Sequence, residues 1–489
     1  MKLFSLEYGL FLLSVFYIFY LLPHRHQWKL LLAASLGFYM ITVPLYVVVP
    51  FTICMVSYVA GLLIENTGRN EWKKAIFIMS LMVNIGILIF FKYVDFLTKS
   101  FFMALGALQS HFFQGSAFIA APSPFNILVP LGISYITFQG IGYTIEIYRG
   151  NHRAEKNMGL FFTYLMFFPK IYSGPIERAH HFLPQLHERK TLDYELVSDG
   201  LKLIVWGLFK KLIIAERLSK VIDIVFQNPD HYAGIPLIFA SVIFLVQLYA
   251  DFSGYTDIAI GSANVLGFKL TANFNFPLIA RSTTELWRRW HISLSTWFFE
   301  YVYNPIAIAK REWNQWAVIY ASLVTFLILG LWHGASWKFV VFGLLQGVVL
   351  SAEFLTKKFR KIISSKLPEV VNNCIGVMFT VLFFSFSLLF FKAGNFSDAA
   401  MMARHYFIFT GDESRIYSLF QAFKLSGVLK LTFLAGLLLA VEYLDRNFDL
   451  KKVISRQAVV LRWLIYYMVI FAILTFGKFQ QEQFIYFKF

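Results

Sequence analysis

One histidine stands out because it lies between two long apolar segments. His333 sits between the apolar runs 317–330 and 339–350, inside a Leu-Trp-His-Gly-Ala-Ser-Trp sequence. An ionisable side chain at membrane depth is costly, so it is a candidate functional group. Histidine is also the side chain best suited to move a proton near neutral pH. We therefore predict that His333 is the centre of an active site, and we assign Trp332 and Ser336 beside it to donor or substrate binding.

A second dense motif, 281–297, holds His291 directly after two arginines and a tryptophan. Arg288 and Arg289 suit the phosphates of a cytoplasmic donor, because the planar guanidinium group matches phosphate geometry. The tryptophans of the same motif are equally typical of a helix that lies at the membrane interface and binds no ligand. The presence of His291 leaves both interpretations open.

Two carboxylates, Asp251 and Asp257, follow the apolar run 234–250. Carboxylates in such a position need a partner or water. Asp251 either orients a histidine or an acceptor hydroxyl, or it pairs structurally with a backbone amide or an arginine. Six residues apart on a helix, the two side chains point to different faces, which argues against the paired carboxylates of a glycosidase.

Other familiar chemistries are not indicated by the sequence. It has no Gly-x-Ser-x-Gly elbow, no Walker A loop and no dinucleotide fingerprint. Cys54 and Cys374 lie inside apolar runs, without the electropositive setting that activates a thiol. Three histidines and two glutamates crowd one loop, but their spacing matches no usual ligand pattern, so we predict no metal site. These residues are His180, His181, His187, Glu177 and Glu188.

The elements that must position these residues are membrane helices. Hydrophobic residues make up 58% of the 489 residues and charged residues only 15%, against about 25% in soluble domains. Apolar runs of near-spanning length recur along the chain. They cover 3–22, 29–45, 46–64, 75–91, 127–147, 234–250, 315–332, 336–355, 371–391, 427–443 and 463–477. The runs are continuous rather than alternating, so we predict an all-α polytopic membrane protein and not a β-barrel.

The net charge of +16 reflects basic clusters in short loops beside the apolar runs. This is the positive-inside pattern rather than a nucleic-acid surface. With the clusters on the cytoplasmic side, both termini and the loops 92–125 and 394–425 face the other side. We expect a single integral-membrane domain, 1–489, with N-terminal scaffold helices over 1–125, a catalytic core over 126–350 and C-terminal scaffold helices over 351–489.

Four motifs in order resemble the membrane-bound O-acyltransferase (MBOAT) family, and within it the bacterial alginate O-acetyltransferase branch. They are the stretches 167–178, 251–261, 287–297 and 330–337. The resemblance implies a bundle of about 11–13 transmembrane or re-entrant helices around a central funnel or tunnel. It also implies that His333 is catalytic and that His291 lies near the reaction path.

The resemblance further implies transfer of an acyl group, most simply acetyl, through the membrane to a hydroxyl of an extracellular or periplasmic polysaccharide or of a relay partner. The donor is a thioester co-substrate, acetyl-CoA or an acyl carrier protein, and no bound cofactor is expected. The expected partner is an extracytoplasmic SGNH-hydrolase-like acyltransferase, and the expected location is the bacterial inner membrane. The alternatives are D-alanyl or other cell-wall acyl transfer, a transporter of lipid-linked sugar or acyl groups, and a structural subunit.

The chain departs from this branch at three places, residues 298–301, 305–309 and Gln346. The usual Arg-Asp pair, Gly-Gly pair and second histidine are absent there. The core motifs are intact. The D-alanyl branch usually has Asn where Arg288 stands, which favours acetyl transfer.

Overall fold

The described residues of the computed structural model, 2–112, 123–125, 127–172, 174–411 and 416–479, form helices joined by short connections. The N-terminal helices are α1 Leu6–Leu21, α2 His24–Thr42, α3 Val48–Asn66 and α4 Asn70–Phe112. The central helices are α5 Ile133–Tyr148, α6 Met158–Met166, α7 Phe168–Ile171, α8 Ala179–His187, α9 Tyr194–Phe209, α10 Glu216–Phe226, α11 Gly234–Val265, α12 Thr283–Arg289, α13 Ile292–Phe298, α14 Asn304–Ala309, α15 Gln315–His333 and α16 Trp337–Leu355. The C-terminal helices are α17 Lys357–Ser364, α18 Glu369–Lys392, α19 Phe396–His405, α20 Ile416–Phe448, α21 Leu450–Ser455 and α22 Val459–Phe476.

Eight helices in the described ranges are long and apolar enough to cross a membrane: α3, α4, α11, α15, α16, α18, α20 and α22. The helix α1 is apolar but shorter, at 16 residues. The absence of strands from the same ranges and the repeated apolar helices confirm the prediction of an all-α, multi-pass membrane protein.

Two predicted boundaries were wrong. The apolar run 75–91 was expected to end in an outer loop, but α4 continues to Phe112. Residues 92–109 contain no proline, and half of them are good helix formers, so nothing stops the helix there. Likewise, 234–250 and the polar residues after it form one helix, α11. The apolar window of α11 is 78% buried inside the protein, and burial in protein is how a polar stretch is tolerated at membrane depth.

The helix α11 is the central element, and α9 packs along it through paired glycines. A Cβ on Gly207 would lie 2.6 Å from the carbonyl oxygen of Gly254, and one on Gly200 would lie 2.6 Å from that of Gly261. Gly200 and Gly207 are seven residues apart in α9, and Gly254 and Gly261 are seven residues apart in α11. The two contacts therefore lie along one face of each helix, and the helices run antiparallel. Small residues let membrane helices approach closely, and van der Waals contact then stabilises the pair.

The helices α15 and α16 form a hairpin that is equally close. A Cβ on Gly343 would meet the carbonyl oxygen of Phe326 at 2.1 Å, and one on Gly330 would meet that of Phe339 at 2.3 Å. Gly330 lies one turn before His333, so this close approach fixes the end of α15 where the histidine stands.

Replacing Gly343 by alanine is expected to destabilise the protein by about 1–3 kcal/mol, because the added methyl group has no space and must push the two backbones apart. Gly86→Ala is the matched control, since its Cβ would meet no atom within 4 Å. The thermal unfolding midpoint of the purified protein in detergent measures both. Equal midpoints for the two variants would contradict the close packing of α15 on α16.

Candidate active site

His333 is the last residue of α15, and a neighbouring helix holds this helix end in place. The hydroxyl of Tyr93 donates a hydrogen bond to the carbonyl oxygen of Leu331 at 2.8 Å. The ammonium group of Lys92 donates to the carbonyl oxygens of Trp332 at 2.5 Å and of His333 at 3.5 Å. The last carbonyl groups of a helix have no partner within it, and a cation there is favourable. Two side chains of α4 therefore fix the backbone of the predicted catalytic residue.

The imidazole of His333 is surrounded by aromatic rings. His333 is only 5% exposed. The ring centroids of Trp332, Phe391 and Phe342 lie 5.1, 5.3 and 5.8 Å from that of His333. Such water-poor surroundings strengthen any electrostatic interaction that a bound substrate makes with the imidazole.

His291 lies in the turn between α12 and α13, in an unusual backbone conformation. Its φ is +46°, in the left-handed region, which costs on the order of 1–3 kcal/mol for a residue other than glycine. The turn is held because the amide of Ile292 donates to the carbonyl oxygen of Asn273 at 2.9 Å, and the hydroxyl of Ser293 donates to the Asn273 side chain at 2.6 Å. The strain is maintained by specific bonds, as is common at functional sites.

The imidazole of His291 is fully buried, and neither of its nitrogen atoms has a hydrogen-bond partner among the described residues. Its ring centroid lies 4.7 Å from Phe252, 6.4 Å from Tyr135 and 5.9 Å from Trp332. Because Trp332 also contacts His333, one indole ring connects the two predicted catalytic histidines. Buried polar atoms normally have partners, so the two ring nitrogens of His291 stand out for their unused hydrogen-bonding capacity.

The helix α12 carries Arg288 and Arg289, and a glutamate of α16 anchors its N-terminus. The carboxylate of Glu353 in α16 accepts hydrogen bonds from the amides of Thr283 and Thr284, at 2.7 and 3.0 Å. A carboxylate at a helix N-terminus satisfies free amides and complements the helix dipole. Arg288 is exposed. Arg289 is paired with Glu285 at 2.9 Å.

The sequence departure at Gln346 has a structural role. The side-chain oxygen of Gln346 accepts a hydrogen bond from the indole of Trp287 at 3.2 Å, and its amide donates to the hydroxyl of Ser387 at 2.8 Å. Gln346 thereby links α12, α16 and α18 inside the bundle. The last predicted site residue, Ser336, caps the start of α16 without a side-chain capping bond.

Asp251 is part of a buried ion cluster, one residue before Phe252, whose ring contacts His291. Its carboxylate lies 2.6 Å from the ammonium group of Lys211, which also lies 2.5 Å from the carboxylate of Glu216. The next lysine, Lys210, pairs with Asp257 at 2.6 Å. Both lysines stand in a π-helical turn, Lys210–Ala215, and all six residues of this turn are buried. From the sequence, Asp251 was expected either to orient a histidine or an acceptor hydroxyl, or to pair with a backbone amide or an arginine; the ion pair that the structure shows is with Lys211.

A cavity of about 420 Å³ lies between α5, the loop 149–157 and α8; we call it the α5–α8 cavity. This volume is in the range of small-molecule sites. Its exposed mouth carries His152, Arg153, Lys156, His180 and His187, and its buried floor includes Phe138 and Gln139.

The floor of the α5–α8 cavity leads to the histidines. The ring of Phe138 stacks on Trp297 with centroids 4.0 Å apart, and it lies 5.8 Å from the ring of Trp332. Trp332 in turn contacts both His291 and His333. Two aromatic side chains in series, Phe138 and Trp332, therefore separate the cavity from the two histidines.

Two adjacent histidines of α8, His180 and His181, have shifted pKa values. A hydrogen bond to the carboxylate of Glu177 raises the pKa of His181. Partial burial lowers the pKa of His180, and the charges of His152 and Arg178 lower it further. The ring of His180 stacks on that of His152, with the ring centroids 5.0 Å apart. Within the described ranges, no three His, Cys, Asp or Glu side chains form a cluster that could hold a metal ion.

Two groups near the histidines were missed by sequence reasoning. Lys92 had a usable signal, because an ionisable residue late in a long apolar helix is a functional candidate in the same way as His333. Arg178 closes the motif 167–178, but nothing in the sequence relates it to Tyr301, over whose ring its guanidinium group lies.

The helix bundle and its buried pair of histidines define a multi-pass membrane protein with acid–base groups inside the bundle. Residues 157–392, which include both histidines, match the MBOAT family of membrane-bound O-acyltransferases. The chain belongs to this family, as similarity over most of its length also shows. The protein is thus an enzyme of acyl transfer, and it needs an acyl donor as co-substrate.

Three relatives illustrate the similarity. A probable alginate O-acetylase of Azotobacter vinelandii is 34% identical over 69% of this chain; the match spans 65% of that protein, just under two thirds. A probable alginate O-acetylase of Pseudomonas aeruginosa is 32% identical over 80% of this chain and 72% of its own length. A peptidoglycan O-acetyltransferase of Helicobacter pylori is 31% identical over 76% of this chain and 71% of its own length.

Proposed function

We propose that this protein moves an acetyl group from a cytoplasmic thioester to a hydroxyl on the extracytoplasmic side of a bacterial inner membrane. The acceptor is a polysaccharide or cell-wall glycan, or a hydroxyl of a relay partner. The names of the similar proteins, which act on alginate and peptidoglycan, support this acceptor class. An SGNH-hydrolase-like enzyme outside the membrane suits the role of relay partner, with residues 126–350 as the catalytic core.

The observation that carries the proposal is the position of His333 relative to the α5–α8 cavity. Positive loop residues favour the cytoplasmic side. This rule assigns the cavity mouth, with Arg153 and Lys156, to the cytoplasmic side. It assigns α17, with its four basic residues, to the same side. The connection between α15 and α16, next to His333, then belongs to the opposite side, as do both termini. Donor and acceptor would approach the histidines from opposite faces of the membrane.

The chemistry follows from the two imidazoles. The acceptor oxygen attacks the thioester carbonyl carbon while His333 takes the hydroxyl proton, a step typically worth about 10²–10⁴ in rate. The new carbon–oxygen bond leaves a tetrahedral oxyanion, and a nitrogen of His291 carrying a proton stabilises it by a hydrogen bond. The carbon–sulfur bond then breaks, and the proton held by His333 passes to the leaving thiolate.

Purified protein in nanodiscs tests the proposal when it is given radiolabelled acetyl-CoA, an acetylated carrier protein or a D-alanylated carrier protein, each with a glycan acceptor. We expect an alkali-labile acetyl ester on the acceptor with one of the acetyl donors. Ester formation from the D-alanyl donor alone would favour the cell-wall alternative. A protein that forms no ester with any donor, with or without a relay partner, yet carries acyl groups across the bilayer would be a transporter, contrary to the proposal.

A further inference from the structure

We propose that α17 binds the anionic lipid headgroups of the adjacent membrane leaflet through Lys357, Lys358 and Lys361. This helix lies in the short connection between α16 and α18, two of the helices that are long and apolar enough to cross a membrane. Only Thr356 separates it from α16, and only residues 365–368 separate it from α18. A helix confined between the ends of two spanning helices lies at the level of the headgroups.

One side of α17 is strongly basic. Four basic residues of this helix are exposed: Lys357, Lys358, Arg360 and Lys361. The whole connection 356–368 contains no acidic residue. Arg360 is partly used by the protein, because its guanidinium group donates a hydrogen bond to the carbonyl oxygen of Glu353 at 2.9 Å. The three lysines therefore present their ammonium groups to the surroundings without a carboxylate beside them in the connection.

The opposite side of α17 is apolar and exposed. Phe359, Ile362 and Ile363 are 64%, 57% and 43% exposed. Their spacing of three and four residues places them on one side of the helix. The flanking helices also expose apolar side chains at the ends nearest α17, Leu355 in α16 and Val370 in α18. Exposed apolar side chains thus run from one spanning helix through α17 to the next, as expected where lipid covers them.

A basic side and an apolar side on one helix are typical of a helix that lies in the plane of the membrane interface. The apolar side chains enter the boundary of the acyl chains, while the long lysine side chains extend to the headgroups. Charge then selects the lipid, because each lysine near an anionic surface adds about fivefold in affinity. A zwitterionic headgroup offers no net charge for the same three ammonium groups.

A fluorescent label on the apolar side of α17 tests the proposal in the full-length protein in nanodiscs. The exposed Cys374 is first replaced by serine, whereas Cys54 is buried and stays. Ile363→Cys in this background is labelled with bimane, which brominated acyl chains quench on contact. Brominated phosphatidylglycerol or brominated phosphatidylcholine is then titrated into nanodiscs of unbrominated phosphatidylcholine. We expect half-maximal quenching at a mole fraction of phosphatidylglycerol about tenfold to a hundredfold lower than that of phosphatidylcholine.

Two sets of lysine variants identify the residues responsible. The combined variant Lys357→Gln, Lys358→Gln, Lys361→Gln should be quenched alike by both lipids, because the apolar side is kept and the charge is lost. Salt at about 1 M should weaken the preference of wild type in the same direction. The control is Lys451→Gln, Lys452→Gln in α21, whose lysines pair with Asp199 and Asp449. This control should keep the wild-type preference.

Equal quenching of the wild-type helix by the two lipids would overturn the proposal, and so would a preference that survives in the combined variant of α17. A label reached by aqueous iodide but by neither brominated lipid would place the apolar side in water. A label reached by none of the three would show that protein, such as a second copy of this chain, covers α17. Either result would also contradict lipid binding. The test requires no turnover, so its outcome is independent of the proposed acyl transfer.

Discussion

The variant His333→Ala is expected to lose acyl transfer, by about 10²–10⁴-fold for the removal of a general base, while it still folds and inserts. The loss follows because the imidazole is the proton acceptor, whereas the backbone at this position is held by Lys92 and Tyr93 through carbonyl oxygens that alanine retains. Steady-state rates of ester formation at saturating donor and acceptor measure the effect.

Two further variants separate catalysis from packing. His333→Gln keeps a polar side chain of similar reach but provides no base, so it should be as inactive as His333→Ala. His231→Ala removes an exposed histidine beside Asp230 and should retain the wild-type rate. An active His333→Gln protein would show that the imidazole serves only as a hydrogen-bonding group. Near-normal turnover in His333→Ala would contradict the assignment of His333 as the general base.

The second large effect is on stability and concerns the ion cluster of Lys211, Asp251 and Glu216. All three residues are less than 5% exposed. Lys211→Met is expected to lower the free energy of unfolding by about 3–5 kcal/mol, because it removes the positive charge that offsets two buried carboxylates. Thermal or denaturant unfolding of the protein in detergent measures the loss.

The control is Lys202→Met, whose partner Asp199 lies 3.5 Å away at a partly exposed position; such a pair is worth about 0–1 kcal/mol. The combined variant Lys211→Met, Asp251→Asn, Glu216→Gln should recover part of the loss, since no buried charge then remains in the cluster. If Lys211→Met unfolds like wild type, the cluster does not hold α10, α11 and the π-helical turn together.

Much of the architecture was accessible from the sequence because lipid imposes a simple rule. Apolar runs near spanning length must be helices, since a helix satisfies its own backbone groups in hydrocarbon. The same rule singled out His333, because this ionisable side chain interrupts an apolar run. It did not fix where helices end: α4 continues because no proline stops it, and α11 continues through polar residues because the surrounding protein buries them.

The site was accessible only in part, because its parts come from distant segments. The motifs around His291 and His333 were recognisable, and the structure joins them through Trp332. The strained turn at His291 depends on Asn273, and the end of α15 depends on Lys92; neither contact follows from local sequence spacing. The residues Lys210 and Lys211 were similarly unmarked, because the burial of their turn depends on helices distant in sequence. Tertiary contacts of this kind require coordinates.

The central claim is that an acetyl group passes through the protein from a cytoplasmic thioester to an outer hydroxyl by way of His333. The most direct test uses proteoliposomes in which the protein has one known orientation, with radiolabelled acetyl-CoA on the cytoplasmic face and a glycan acceptor, together with the relay partner, on the other. We predict acetyl ester on the opposite face with wild type and none above background with His333→Ala. Ester formed only when donor and acceptor share one face, or formed equally by His333→Ala, would contradict the account.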